Sequence, residues 1–185
     1  MTGSPGSGKT SVVNLVVKNL SSRGFRAGGV YCPEIREGGV RVGFKMVDLM
    51  TGEEQLLAHI KLRAGPQVGK YRVNVAGIDK FSEAAIGRAL READFAVIDE
   101  IAPMEIHSEG FKRAVLSALD SNKPLLAVIH QYTVSGFIGA VKARHDVKIF
   151  ELKNETRPEL PDKLVQAIGA ALDFSLNPKR PEITH

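Results

Sequence analysis

A short glycine-rich run near the start of the chain carries the clearest chemical signal. Gly3-Ser4-Pro5-Gly6-Ser7-Gly8-Lys9-Thr10 satisfies the pattern G-x-x-x-x-G-K-[ST] at every fixed position. Glycines let the backbone turn sharply and approach a ligand closely, so several N–H groups can converge on phosphate oxygens. A helix beginning here adds its unpaired N–H groups and the positive end of its dipole. Lys9 has the reach and charge for the outer phosphates, and Thr10 offers a hydroxyl to a magnesium ion. Gly3, Ser4, Pro5, Gly6, Ser7, Gly8, Lys9, Thr10 and Ser11 are therefore read as a nucleotide-binding loop and first helical turn.

A second signal is acidic. The apolar run Phe95-Ala96-Val97-Ile98 ends abruptly in Asp99-Glu100. Continuous apolar runs are expected where helices cover both faces of a parallel sheet. Ligands of open α/β sheets sit at the C-terminal strand edge, where this pair would stand. Asp99 suits an indirect, water-mediated role at a magnesium ion, and Glu100 suits a water-positioning or general-base role in attack on a terminal phosphorus. The expected catalytic residues are Glu100 and Lys9; the expected metal residues are Thr10 and Asp99. His130 ends another apolar run, Leu125–Ile129, and is a candidate contact for the terminal phosphate or the water. Arg36, Arg144 and Arg157 lie in or near expected loops and are candidates to stabilise developing negative charge. His59, His107, His145 and His185 show no metal-ligand spacing. Cys32 is the sole cysteine, so no internal disulfide can form, and it is read as a small hydrophobe.

The elements that must position these residues follow from periodicity. Val12, Val13, Val16, Val17 and Leu20 share one face of an expected helix Lys9–Ser22, which Gly24 stops. A β-type run at Ala27–Cys32 follows. Beyond a Glu37-Gly38-Gly39 turn, Val40, Val42, Phe44 and Met46 alternate with polar positions, predicting a strand Val40–Leu49 with one buried face. Tyr71, Val73 and Val75 predict another strand. From Asp79 the period becomes helical, with Phe81, Ala85, Ile86, Ala89 and Leu90 on one stripe. Helices at Phe111–Leu119, Val134–Arg144 and Pro161–Leu172 alternate with strands at Leu125–Ile129 and Val147–Leu152. This is the pattern of an α/β fold with a mostly parallel sheet. The region from about Glu34 to Val75 reads as a small antiparallel insertion within one domain, 1–172, and a polar tail, 173–185, is expected to fray. A phosphate loop follows a buried strand, yet only Met1 and Thr2 precede Gly3. The leading strand is thus expected to be missing, with the natural start several residues upstream.

Composition bounds the rest. A chain of 185 residues that is 43% hydrophobic and 25% charged suits one globular domain and excludes wholesale disorder. The net charge of +4 is mildly basic and leaves room for a polyanion without demonstrating one. No basic start followed by an apolar run resembles a signal peptide, and no stretch approaches a spanning helix. The chain is read as a cytoplasmic protein with no membrane partner, and a monomer is expected ahead of an oligomer. The basic stretch Lys142, Arg144, Lys148 and Lys153 has no interleaved aromatics, which argues against a dedicated RNA groove.

Several segments, in order, resemble a known family. They are the loop Gly3–Thr10, the segment Tyr31-Cys32-Pro33-Glu34-Ile35-Arg36, the strand Arg41-Val42-Gly43-Phe44, Gly69-Lys70-Tyr71, and Asp99-Glu100-Ile101-Ala102-Pro103-Met104-Glu105. Together they are similar to the thermophile-type nucleoside-triphosphatases, relatives of the cancer-related nucleoside-triphosphatase. The likeness spans the chain to about Leu172. It implies a RecA-like phosphate-loop fold and slow, Mg²⁺-dependent hydrolysis of ATP, GTP and other nucleoside triphosphates to diphosphate and phosphate. By motif position it implies phosphate and metal contacts from Lys9 and Thr10, a metal contact from Asp99 and the water from Glu100. It also places Glu34, Arg36 and Glu105 near the site. Two positions depart from the family: Ala102 stands where glycine is common, and Thr156-Arg157 stands where an Asn-Arg pair is usual. Two alternatives stay open, a nucleotide or small-molecule kinase and a nucleotide-dependent RNA-associated switch. The adjacent Asp99-Glu100 pair favours water as acceptor, and nucleic acid is not required.

Overall fold

The computed structural model describes residues 1–176. In chain order its elements are β1 (Thr2–Gly3), α1 (Lys9–Ser22), β2 (Ala27–Tyr31), β3 (Glu34–Glu37), β4 (Val40–Asp48), β5 (Glu54–His59), β6 (Gln67–Val68), β7 (Tyr71–Val73), α2 (Val75–Glu92), β8 (Phe95–Ile101), a 3₁₀ turn (Glu105–His107), α3 (Glu109–Leu119), β9 (Leu125–Ile129), α4 (Gly136–Lys142), β10 (Glu151–Leu152) and α5 (Leu160–Leu176).

Strand β8 is apolar from Phe95 to Ile98, where both its faces are covered. Phe95 and Val97 pack with Val16 and Leu20 of α1 and Leu164 of α5. Ile98 packs on the opposite face with Ile86 of α2 and Phe111 and Val115 of α3. Parallel pairing joins β2 to β8 and β8 to β9. The strand expected to be missing is represented by two residues. Thr2 and Gly3 pair in parallel with Glu151 and Leu152 of β10. On the other side, the Met1 nitrogen donates to the Ala127 carbonyl at 2.6 Å and Ile129 N–H donates to the Met1 carbonyl at 2.9 Å. The order across this half is therefore β2, β8, β9, β1, β10. Beside Met1, between β9 and the extended segment 147–150, lies an apolar cavity of about 460 Å³.

The antiparallel insertion is attached through β4, which pairs with β2 at Val30–Asp48 and Tyr31–Val47. Beyond β4 come β5, β7 and β6 in order, with β3 also on β4. Gly38 and Gly39, both at positive φ (55° and 81°), make the tight β3–β4 turn. Val40 is exposed rather than inward because it stands at this hairpin's tip, and a register shift between Phe44 and Lys45 interrupts the simple alternation.

Other boundaries moved for local reasons. Helix α2 starts at Val75, not Asp79, because the Asn74 side chain caps it by accepting from Gly77 N–H. Helix α4 is shorter than the Val134–Arg144 expected, and only Glu151–Leu152 of the Val147–Leu152 segment pairs as a strand. Helix α5 continues through Leu176, past the expected end at Leu172. The remainder of the expected tail lies outside the described residues. Among the described residues no helix is long and apolar enough to cross a membrane.

Candidate active site

The loop between β1 and α1 takes its shape from two left-handed glycines, Gly6 at φ 74° and Gly8 at φ 89°. Gly8 occupies the N-cap of α1 without a side-chain cap, so the first N–H groups of the helix stay available to a ligand. Ser7 N–H donates to the Ser4 carbonyl at 3.1 Å and closes the turn. The Lys9 ammonium donates to the carbonyls of Gly3 at 3.1 Å and Ser4 at 3.3 Å, which holds the cation along the rim of the loop. Gly3 fits tightly: a Cβ there would sit 3.0 Å from the Leu152 carbonyl oxygen of β10, closer than ordinary contact.

A cavity of about 710 Å³ opens between this loop, the C-terminal end of β8 and the insertion. Gly3, Lys9 and Thr10 line one side, and Asp99, Glu100 and Glu105 line another. Asp99 is 5% exposed, and one of its carboxylate oxygens, Oδ2, has no hydrogen-bond partner. Burial raises its pKa, opposed by a hydrogen bond with the Thr10 side chain and by the Lys9 charge. A buried carboxylate with one free oxygen beside a threonine hydroxyl fits a magnesium ion. Asp99 and Thr10 would hold it, with bound phosphates and water supplying the remaining oxygens. No cluster of three or more His, Cys, Asp or Glu suited to a protein-only metal site occurs among the described residues. The pKa of Glu100 is raised as well, first by burial and then by Asp99, against the pull of Lys9. Glu105 lies deepest, with Oε2 unpaired, and burial together with the Glu100 charge pushes its pKa up to about 8. The Asp99–Glu100 peptide bond is cis.

The other expected residues divide. His130 lines the cavity; Nδ1 bonds the Thr133 hydroxyl at 2.8 Å, and burial followed by the Lys142 and Lys9 charges lowers its pKa. The lowered pKa favours the neutral ring. Glu34 also lines the cavity but is held by Arg36 at 2.6 Å and Arg41 at 2.7 Å. Arg36 is tied to Glu34 and to the Gly39 carbonyl in the hairpin and is not part of the lining. Arg144 pairs with Asp120 and Asp146 at the end of α4, away from the loop. Arg157 is outside the cavity too, yet it touches the phosphate loop, donating through Nη2 to the Ser7 carbonyl. Cys32, read as inert filler, is half-buried in the cavity wall, its thiol pKa pushed up by burial and by Glu105.

Reasoning from sequence passed over Arg41, Phe44, Met104, Gln131 and Tyr132, all in the cavity wall. The Arg41 guanidinium lies 5.3 Å from the Phe44 ring centroid and its Nε donates to the Tyr71 hydroxyl at 3.0 Å. An alternating strand with a charge on its polar face gives no local sign that the face meets a distant loop. Position shortly after Asp99-Glu100 was the available clue for Met104, and position after His130 for Gln131 and Tyr132.

Comparison with known proteins decides the family. A family model described as NTPase matches residues 1–165. The chain belongs to this nucleoside-triphosphatase family. It is 47% identical over 171 residues to the nucleoside-triphosphatase THEP1 of Thermofilum pendens, covering 92% of this chain and 94% of that one. A THEP1 from Methanothermobacter thermautotrophicus is 38% identical over 169 residues, covering 91% and 94% of the two chains. The crystal structure of THEP1 from Aquifex aeolicus superimposes with a TM-score of 0.79 at 27% identity, covering 90% of this chain and 96% of that one. The solution structure of a human cancer-related nucleoside triphosphatase gives a TM-score of 0.76 at 30% identity, covering 91% and 95%. The α/β architecture and its resemblance to these phosphate-loop family members agree with the expected RecA-like fold.

Proposed function

We propose that this family member hydrolyses nucleoside triphosphates to diphosphate and phosphate, with Mg²⁺ as cofactor, slow turnover and broad tolerance of the base. It acts on free nucleotides, ATP and GTP among them, as a cytoplasmic monomer. One observation carries the reading: a phosphate loop with Lys9 and Thr10 shares a cavity with two buried carboxylates, one bonded to Thr10. The names of the THEP1 relatives support the same activity.

The chemistry follows from the residues. Loop amides and the Lys9 ammonium hold the phosphate tail and meet negative charge as it builds on the transferring oxygens. Asp99 and Thr10 would hold a magnesium ion, which would supply further neutralisation of the outer phosphates. Glu100 orients a water and takes its proton as the oxygen attacks the terminal phosphorus. Its raised pKa makes it a better base than an exposed glutamate. Neutral His130 can accept or donate one hydrogen bond through the ring nitrogen that Thr133 leaves free.

Phosphate release from ATP, GTP, CTP and UTP, each with Mg²⁺ and with EDTA, tests the proposal. All four should release phosphate with Mg²⁺ and fall to background with EDTA. Repeating the assay with nucleosides, nucleoside monophosphates and RNA separates the other two readings. Transfer of labelled phosphate to an added acceptor indicates a kinase, and strong stimulation by RNA indicates a switch.

A further inference from the structure

The edge of the sheet gives a bound nucleotide a direction. Asp99 and Glu100 stand at the end of β8, His130 follows β9, the phosphate loop follows β1, and β10 lies beyond. With the terminal phosphate between Lys9 and the acids, the inner phosphates lie on the loop amides. The nucleoside end then points away from β8, toward β10. The loop 153–159 after β10 carries Arg157, whose guanidinium contacts the phosphate loop at the Ser7 carbonyl and borders Gly8, where a Cβ would lie 3.9 Å from Nη1.

Arg157 has the features of a ligand-binding cation that the cavity itself does not use. It forms no ion pair among the described residues, unlike Arg36, Arg41 and Arg144. The side chain is exposed, and one edge of its guanidinium is anchored to the Ser7 carbonyl. Its loop is a closed turn. The Thr156 hydroxyl accepts from Lys153 N–H at 2.9 Å and donates to the Glu151 carbonyl at 3.0 Å, and Arg157 N–H donates to the Lys153 carbonyl at 3.0 Å. Neither this loop nor the phosphate loop contains Phe, Tyr, Trp or His. The guanidinium is thus the group on that side able to offer a flat cationic surface.

We propose that Arg157 stacks on the base of the bound nucleoside triphosphate and contributes the same affinity to purines and pyrimidines. A guanidinium face reads the π-surface of a base and not its hydrogen-bonding edge, so it confers affinity without selectivity. This rests on the triphosphatase reading above and assigns its base tolerance to one residue.

Calorimetric titration of the whole protein and of Arg157→Ala and Arg157→Lys tests it, with ATP, GTP, CTP and UTP as ligands and inorganic tripolyphosphate as the base-free probe, all with Mg²⁺. Arg157→Ala should raise Kd for all four nucleotides by about 3–30-fold and leave that of tripolyphosphate unchanged. Arg157→Lys, which keeps the charge and loses the plane, should recover little, and the melting temperature should hold in both variants. Equal weakening of tripolyphosphate would make Arg157 a phosphate contact and overturn the proposal. So would full recovery by lysine, loss for one base alone, or unchanged nucleotide binding in Arg157→Ala. Failure of the unmodified protein to bind either tripolyphosphate or nucleotides would instead reject the triphosphatase reading, and this proposal with it.

Discussion

Lys9 and Glu105 show how differently two ionisable side chains of one cavity are used. Lys9 rests on the carbonyls of Gly3 and Ser4, ready to exchange them for phosphate oxygens. Lys9→Ala should therefore weaken nucleotide binding by at least about 10-fold, since hydrogen bonds to charged groups contribute roughly 1.5–3 kcal/mol each; titration with a slowly hydrolysed analogue measures it. Glu105 is held away from water, and its effect on stability has a definite sign. Below about pH 4.5 the carboxyl is neutral both folded and unfolded. Between 4.5 and about 8 the folded protein keeps a proton that the unfolded chain releases, so stability falls as pH rises through that window. The slope is at most about 1.4 kcal/mol per pH unit. Urea midpoints of the metal-free protein at pH 6 and pH 8 should show this loss, and Glu105→Gln should flatten it. An equal loss in the variant would mean that the dependence arises elsewhere.

At the scale of elements, close backbone approach sets the tolerances. Gly28 of β2 lies under α2, where a Cβ would meet the Met50 Sδ at 2.7 Å and the Ala89 Cβ at 2.8 Å. Gly28→Ala should cost about 1–3 kcal/mol, read as a lower urea midpoint. Asn74→Ala removes the α2 cap together with the hydrogen bond to the Leu56 carbonyl at 3.0 Å and should cost about 1 kcal/mol by the same measure. These sites also mark what was legible. Helix α1 and strands β8 and β9 were readable because periodicity and burial agree over their whole lengths. The phosphate loop and the acid pair were readable because their chemistry is local in sequence. Strand β5 was not: Glu54–His59 mixes charge and leucines without a clean period, and its place is set by pairing with β4 and β7. The contact of Arg157 with Ser7 spans 150 residues and exists only because β10 lies beside β1. Glu34 and Arg36 looked alike in sequence, yet the bend of the β3–β4 hairpin turns one to the cavity and ties the other to the turn.

Across the whole molecule, two halves of one sheet meet at the cavity. The parallel half supplies the phosphate loop and the acids, and the insertion supplies the opposite wall. A ligand bridging loop and acids binds only the folded state, so it should raise stability by about 2.7 kcal/mol at 100 times its Kd. That corresponds to a rise of about 5–10 °C in melting temperature for a chain of this size, present with Mg²⁺ and nucleotide and diminished by EDTA. Turnover depends on Glu100 acting on water while the loop does the holding. Comparing Glu100→Gln with the unmodified protein, by nucleotide titration and by phosphate release on the same preparation, separates those two tasks. Binding should stay within about threefold while turnover falls by about 10²–10⁴-fold. Phosphate release that continues at the unmodified rate in Glu100→Gln would contradict the account.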